Sequence, residues 1–515
     1  MQWIDDAKCT KCRTCVENCP VEAIHQESKK SYPSVNSDTC VDCNLCSKLC
    51  PTDAISQKPS DELLVRKAVM CKSCPVHCVI PLGRTGACHR FMNTGVERLK
   101  RTRPLLIPRF ADLDERRRLV ALSRPLLLGV GAGTLYPDPK PNPYVADHRV
   151  GEVDVVTAVT EAPLTFSGVK VKIDTDYYIG EETAKVKRKG QTVGHVTTEE
   201  YGSKMLSLGG SNLMTSKSGV ITAKTVVEIA NRERVILDIE KGKKIEIQVG
   251  KAPVIDGVLA EKMRPACGSQ VGSLSSVFKG VVDELIILDG AITGLMTEHV
   301  GSEEADLPRS GITPIGRKST PGRYLGEKGS GWGGTVVQTP QESIKKIDLN
   351  VAWVGMRILV TEPNMERMAL LELRGGGQLE EIAVTENILA VIETIKKRAD
   401  ASRVSALYVG GLGGGVRRSL SRNFPLRVSK AVAEGKIAVT SGGVPVFVLP
   451  GGGMTYFVDV EKMPPGTFTW VPTPCTVAPL EFTMEKKTFD EIGGYPGVMK
   501  PLDVILQETD HEQED

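Results

Sequence analysis

The chain has 515 residues, with 65 Lys and Arg against 63 Asp and Glu and a formal net charge of +2. That length exceeds one ordinary domain, and so even a balance of charge excludes nucleic acid or an anionic membrane surface as the main partner. Aromatic residues make up only 5% while glycine numbers 51, which suits a turn-rich enzyme and excludes a base-stacking surface. No apolar run approaches the ~20 residues of a membrane helix. The opening residues, Met1 to Asp6, lack the basic stretch and apolar run of a secretory signal. A soluble, cytoplasmic protein is expected, with no membrane partner.

Cysteine usage carries most of the signal. Of 14 cysteines, 12 lie between Cys9 and Cys88, and only Cys267 and Cys475 lie beyond. A disulfide framework would not load one end of a long chain in this way, whereas metal ligation would.

Residues 1–60 are a duplication. Cys9, Cys12, Cys15 and Cys19-Pro20 repeat as Cys40, Cys43, Cys46 and Cys50-Pro51, and Ala23-Ile24 repeats as Ala54-Ile55. A cube of iron and sulfide takes three thiolates from one tight C-x2-C-x2-C loop. In two-cluster ferredoxins the cysteine before proline serves the opposite cluster. The spacing therefore predicts one [4Fe–4S] cluster on Cys9, Cys12, Cys15 and Cys50, and another on Cys40, Cys43, Cys46 and Cys19. Zinc is the alternative, although zinc motifs set their cysteine pairs farther apart.

Residues 61–100 hold a third group, Cys71, Cys74, Cys78 and Cys88. Four thiolates so close in sequence suit a third iron–sulfur cluster, either [4Fe–4S] or [2Fe–2S], with structural zinc as the alternative. His77 and His89 flank these ligands, either replacing one or standing beside them. Residues 101–145 read as a basic, proline-punctuated linker. Its cluster Arg116-Arg117-Arg118 is either a solvated face or a docking patch for an acidic electron carrier. Within it, Gly129, Gly131 and Gly133 form a turn or face a phosphate.

Residues 146–345 are expected to be β-rich. Val169, Val171 and Ile173 alternate with charged residues, as do Ile245, Ile247 and Val249. A helix is expected over Thr222–Ala230. Residues 346–515 are expected to form an α/β region. It should contain a helix over Thr385–Ala399 with Ile388, Leu389, Ile392 and Ile395 on one face and Thr385 as its cap, and a buried strand over Val444–Leu449. The acidic end, Glu508 to Asp515, is expected to be disordered. The predicted fold class is α+β and multidomain, with a ferredoxin module preceding the β-rich and α/β regions.

The duplicated motif joined to Cys71-Lys-Ser-Cys74-Pro-Val-His-Cys78 and Gly83-Arg-Thr-Gly-Ala-Cys88-His-Arg-Phe91 resembles the 6-hydroxynicotinate reductase family. The segments Asp289–His299 and Gly413–Ser419 are similar to it as well. The resemblance implies a flavin-containing (FAD or FMN) iron–sulfur enzyme that works with ferredoxin. It would reduce the pyridone ring of 6-hydroxynicotinate to 1,4,5,6-tetrahydro-6-oxonicotinate, or act on a related cyclic amide. Such a substrate carries a carboxylate, for which Arg417, Arg418 and Arg264 are candidate clamps. His299 is a candidate acid, and Cys267 and Cys475 are candidate acids or flavin contacts. Gly413, Gly414 and Gly415 are candidates to cradle flavin phosphates, as is the run 451–453, and Thr293 loosely resembles a flavinylation site. Each has a plainer reading: surface arginine, core histidine or cysteine, tight turn.

Two other readings compete. One is an electron-transfer subunit whose catalytic centre lies in a partner chain. The other is a hydrolase or ligand-binding body carrying a regulatory cluster domain. The extent of residues 146–515 favours the enzyme. Expected partners are ferredoxin, a small heterocyclic substrate and a second copy of the chain.

Overall fold

The computed structural model describes residues 2–57, 67–71, 76–95, 99–102, 144–164, 167–175, 177–198, 204–262, 277–288, 292–294, 309–316, 331–398, 401–422, 425–449, 454–472 and 475–507. The linker with Gly129, Gly131 and Gly133, the glycine run 451–453 and the acidic end from Glu508 lie outside them. The chain forms two compact units. One comprises residues 1–169, 209–231 and 407–515, and the other residues 170–208 and 232–406.

The first unit opens with the duplicated segment. Strand Gln2–Ile4 pairs antiparallel with Ile55–Gln57, and Ile24–His25 pairs with Ser34–Val35. Two one-turn helices, Thr14–Asn18 and Leu45–Leu49, pack on each other. Both stop for the same reason. Each is followed by a cysteine that precedes proline, and the proline ring pushes that cysteine into extended geometry (Cys19 φ −66°, ψ 116°; Cys50 φ −69°, ψ 118°). Ile4, Ile24 and Ile55 form the core with Cys15 and Cys46.

The rest of this unit is built around one long strand, Cys475–Glu485. It runs between Val153–Leu164 on one side and Ile437–Ser441 on the other, antiparallel to both. Tyr144–Val150 and Met499–Pro501 extend the sheet beyond Val153–Leu164, and Val444–Pro445 extends it beyond Ile437–Ser441. Residues from Cys475 to Met484 are all buried, because helices Gly219–Ala230 and Lys486–Glu491 also pack on this strand. The first of these helices starts at Gly219, earlier than Thr222. It is apolar nearly all round, which is the mark of a helix covered on every side. The stretch Val444–Leu449 is not one buried strand. Pro445 has no N–H to continue a ladder, so the chain splits into Val444–Pro445 and Phe447–Leu449. The second piece joins Met454–Asp459, and Phe447 is exposed.

In the second unit an antiparallel sheet includes Val254–Ile255, Lys244–Ile247, Val235–Ile239, Lys185–Arg188, Gln191–Thr198 and Lys204–Gly209 in that spatial order. Its alternation is the expected one, with Ile245 and Ile247 buried and Lys244 exposed. A second sheet pairs Glu284–Leu288 in parallel with Arg357–Thr361, followed by Met368–Leu373 and Leu379–Ile382. Leu285 and Ile287 face one core with Leu359 and Leu370, whereas Ile286 and Leu288 face another with Ile358, Val360 and Trp332. Helix Glu386–Arg398 closes the first core with Ile388, Ile392 and Ile395. Leu389 does not share that face. It lies about 100° round the helix from Ile388 and is 44% exposed. Past residue 345 the strands pair chiefly antiparallel, and the body among the described residues is β-rich with few helices.

No helix among the described residues is long and apolar enough to cross a membrane.

Candidate functional site

The two cysteine turns share a backbone as well as a spacing. Lys11, Arg13 and Glu22 take φ of 59°, 65° and 51°, and their counterparts Asp42, Asn44 and Asp53 take 52°, 58° and 50°. Left-handed residues on either side of the second cysteine curl each loop so that its sulfurs turn inward. The N–H of Ala23 donates to Cys19 Sγ and that of Ala54 to Cys50 Sγ, both at 3.2 Å, while the N–H of Lys11 donates to Cys9 Sγ at 3.4 Å. Such bonds stabilise charge on sulfur and tune the potential of a bound cluster.

The sulfurs gather across the duplication. Cys9, Cys12, Cys15 and Cys50 line one cavity together with Ile4, Pro33 and Ile55. Cys43 is held near Cys19 and Cys40, and Cys46 near all three. Each group thus takes the last cysteine of the opposite copy. Burial, reinforced by neighbouring thiolates, pushes Cys15 and Cys43 up to about 11 and Cys46 to about 12. Thiolates in such a place need a bound cation to hold their charge. Cys12 is exposed and behaves differently. Burial works against its charge, but bonds from Thr14 and Thr10 outweigh it and bring the thiol down. Among the described residues no three His, Cys, Asp or Glu side chains converge on a single ion. Four sulfurs around a cavity are the donor set of a cube.

The third group folds against the second. Strands Val69–Met70 and Val79–Ile80 form a hairpin, with the Cys71 N–H donating to the Cys78 carbonyl at 2.8 Å and the Val79 N–H to the Val41 carbonyl at 2.9 Å. Cys71 and Cys78 are buried in a core with Val41, Ile80, Ala87 and Phe91, against which Cys43 and Cys88 pack. Cys74 lies outside the described residues. His77 is exposed. His89 binds the Pro20 carbonyl through Nε2 at 2.8 Å and Thr85 through Nδ1 at 3.3 Å, joining the Cys88 turn to the Cys19 turn. Next to it, Arg90 makes a two-pronged, largely buried bond to Glu161 Oε2 (2.7 and 3.2 Å), which pins this segment to strand Val153–Leu164. Cys88 also packs against Val471, Cys475 and Val477. The thiols therefore succeed one another from exposed Cys12, through the inner group, to Cys88 and then Cys475.

Other expected site residues are more scattered. His299, Cys267 and Arg264 lie outside the described residues, and Thr293 belongs to strand Ile292–Gly294. Arg417 is buried, which lowers its basicity, and its Nη1 donates to Ser429 at 2.9 Å, tying helix Gly414–Leu420 to helix Pro425–Ala433. Arg418 is exposed. Gly413 precedes the first of these helices, and Gly414 and Gly415 open it. Gly410 has a packing reason. It faces Tyr456 across a strand pair, and a Cβ there would collide with the tyrosine ring.

The structure adds a polar cluster that sequence reasoning missed. Glu481 is wholly buried in the middle of strand Cys475–Glu485. Its Oε2 accepts from Thr440 Oγ1 at 2.7 Å and from the Gly443 N–H at 3.3 Å, while Oε1 has no hydrogen-bond partner. Burial pushes this carboxyl up to about 7. The Tyr456 hydroxyl is also fully buried without a hydrogen-bond partner; burial, then Tyr408 and Glu481, raise it well above the usual phenol range. Tyr408 donates to Thr476 at 2.6 Å, and Thr476 to Ser167 at 2.7 Å. The available signal was a single acid inside the apolar run Val477-Ala-Pro-Leu-Glu481-Phe482.

Residues 2–57 match the family described as a 4Fe-4S dicluster domain. The chain is 43% identical over 500 residues to the 6-hydroxynicotinate reductase of Eubacterium barkeri, a match that covers 97% of this chain and 99% of that protein. No solved structure matches it.

Proposed function

Since the chain belongs to the 6-hydroxynicotinate reductase family, we propose that it reduces the pyridone ring of 6-hydroxynicotinate to 1,4,5,6-tetrahydro-6-oxonicotinate, with a ferredoxin-type protein as electron donor. The observation that carries this reading is the near full-length match to that reductase. The grouped thiols supply what such an enzyme needs. Cys9, Cys12, Cys15 and Cys50 hold one [4Fe–4S] cluster, Cys19, Cys40, Cys43 and Cys46 a second, and Cys71, Cys74, Cys78 and Cys88 a third. When bound, clusters of this kind supply one-electron transfer, and a flavin converts it to the two-electron delivery that an organic ring requires.

The chain's own residues do the rest. Exposed Cys12 marks the edge that an electron carrier approaches, and Lys8 and Arg13, loosely paired with Asp5 and Glu17, are the cations there that an acidic carrier would engage. Buried Ile4, Ile24 and Ile55, with Pro33 beside the outer group, cover the sulfurs other than exposed Cys12. The substrate carboxylate calls for a guanidinium, for which Arg417 and Arg418 are the proposed candidates.

The test is anaerobic. Iron, sulfide and flavin are measured on the purified chain, followed by oxidation of a reduced low-potential donor on addition of 6-hydroxynicotinate. Donor oxidation that depends on the pyridone, yielding the tetrahydro product, is expected. A cluster-loaded chain that leaves the pyridone unreduced would overturn the reading.

A further inference from the structure

We infer that Glu481, Tyr456 and Tyr408 form a buried proton-delivery relay for the reduction, an inference that rests on the reductase reading above. Three observations carry it. First, the relay is built on the strand that meets the third cysteine group. Cys475 packs with Cys88, the next residue Thr476 accepts from Tyr408, and Glu481 lies farther along the same strand. Second, two of its polar atoms, Glu481 Oε1 and Tyr456 Oη, are buried with no hydrogen-bond partner. Such atoms are costly to bury, and native folds retain few of them without a use. A purely structural Glu481 would need only the Oε2 bonds to Thr440 and Gly443, and would leave the Tyr456 hydroxyl unexplained. Third, the tyrosine is held in place. Its ring centroid is 6.1 Å from that of Tyr408, and Gly410 is the residue that makes room for it.

The chemistry balances. Saturating one ring C=C bond takes two electrons from the reduced low-potential carrier and two protons. As the ring takes up the pair, the O–H bond of Glu481 breaks and its proton passes through a water bridging the two unpartnered atoms, Glu481 Oε1 and Tyr456 Oη, and then by way of the tyrosines toward the Cys475 end, where a C–H bond forms. Water supplies the second proton and reprotonates the carboxylate. A neutral carboxyl is the form that full burial favours, so it is loaded before the electrons arrive.

The experiment uses the holoenzyme, wild type against Glu481→Gln and Tyr456→Phe. Redox-difference infrared spectra should show a carboxylic-acid C=O band that changes on reduction, is absent from Glu481→Gln and is shifted in Tyr456→Phe. Ring reduction should fall about 100-fold in Glu481→Gln, while cluster content and the rate of cluster reduction by the donor stay at wild-type values. Tyr456→Phe should fall less and show an altered solvent isotope effect. A Glu481→Gln enzyme with wild-type turnover, or with the infrared band intact, overturns the relay and leaves the reductase reading standing. If wild type shows the band but reduces no pyridone, the reductase reading falls and the proton site stands. Should Glu481→Gln lose its iron, Tyr456→Phe decides, since Phe fills the same space: an unchanged rate and isotope effect there overturn the relay.

Discussion

In the first cysteine copy Cys12 is exposed and Cys9 half-buried, whereas in the second Cys40 and Cys46 are buried and Cys43 packs on the core of the third group. Their backbones are the same, down to the left-handed residues and the N–H bonds to Cys19 and Cys50. What differs is the covering. Around Cys12, bonds from two threonines win over burial and pull the thiol down, while around its counterpart Cys43 burial, reinforced by Cys19 and Cys40, pushes the thiol up to about 11. One local code thus yields an outer position open to a partner and an inner one sealed against water.

Serine substitutions give the largest expected break in that comparison. Cys46→Ser should empty the inner group, abolish turnover and lower the yield of folded chain, because this thiol is both a ligand and part of the core. Cys12→Ser should lose iron from the outer group and leave the inner one loaded. Iron per chain and electron paramagnetic resonance separate the two; full iron in Cys46→Ser would disprove the grouping.

Next come two effects of similar size in the sheet that carries the third group. Glu481 has an ordinary carboxyl value of 4.5, and burial lifts it to about 7. The folded state binds its proton more tightly than the unfolded chain does, so its stability contribution is complete below 4.5 and is lost as pH rises through 7. The loss is on the order of 3 kcal/mol. Denaturation midpoints across that range should slope downward in wild type relative to Glu481→Gln; parallel profiles would rule this out. Arg90→Ala should destabilise by about 3 kcal/mol, because it removes a two-pronged, largely buried bond to the Glu161 carboxylate. Pairing it with Glu161→Gln should recover part of that loss in urea titrations.

The smallest effect belongs to the outer edge. Lys8→Glu with Arg13→Glu should raise the apparent KM for an acidic ferredoxin by roughly 3- to 10-fold at low salt. The difference should shrink at high salt, with turnover at saturating donor unchanged. A change in turnover that ignores salt would place the entry edge elsewhere.

Much of this was legible because ligand spacing is a local property. A C-x2-C-x2-C loop closes within one turn, and a proline after the fourth cysteine stops the helix wherever the rest of the chain goes. Strand alternation at Ile245 and Ile247 was legible for the same reason. Leu389 was misplaced because helical spacing identifies an apolar arc but does not say how wide an arc the neighbouring sheet will cover. The single strand expected over Val444–Leu449 failed at Pro445, whose missing N–H lets two sheets share the stretch.

By itself, the sequence determined the ligand pattern of the first 60 residues, the existence of a third thiol group and the strand alternation of stretches such as Ile245–Ile247, since each rests on residues close together in the chain; it expected an α/β region over residues 346–515, where the strands pair chiefly antiparallel. Only the tertiary structure decided that Cys88 meets Cys475, that Arg90 reaches Glu161, and that Glu481, Tyr456 and Tyr408 are gathered away from water. Those contacts join residues tens to hundreds of positions apart. Burial, which favours the neutral form of Glu481, depends on what the whole fold lays over it.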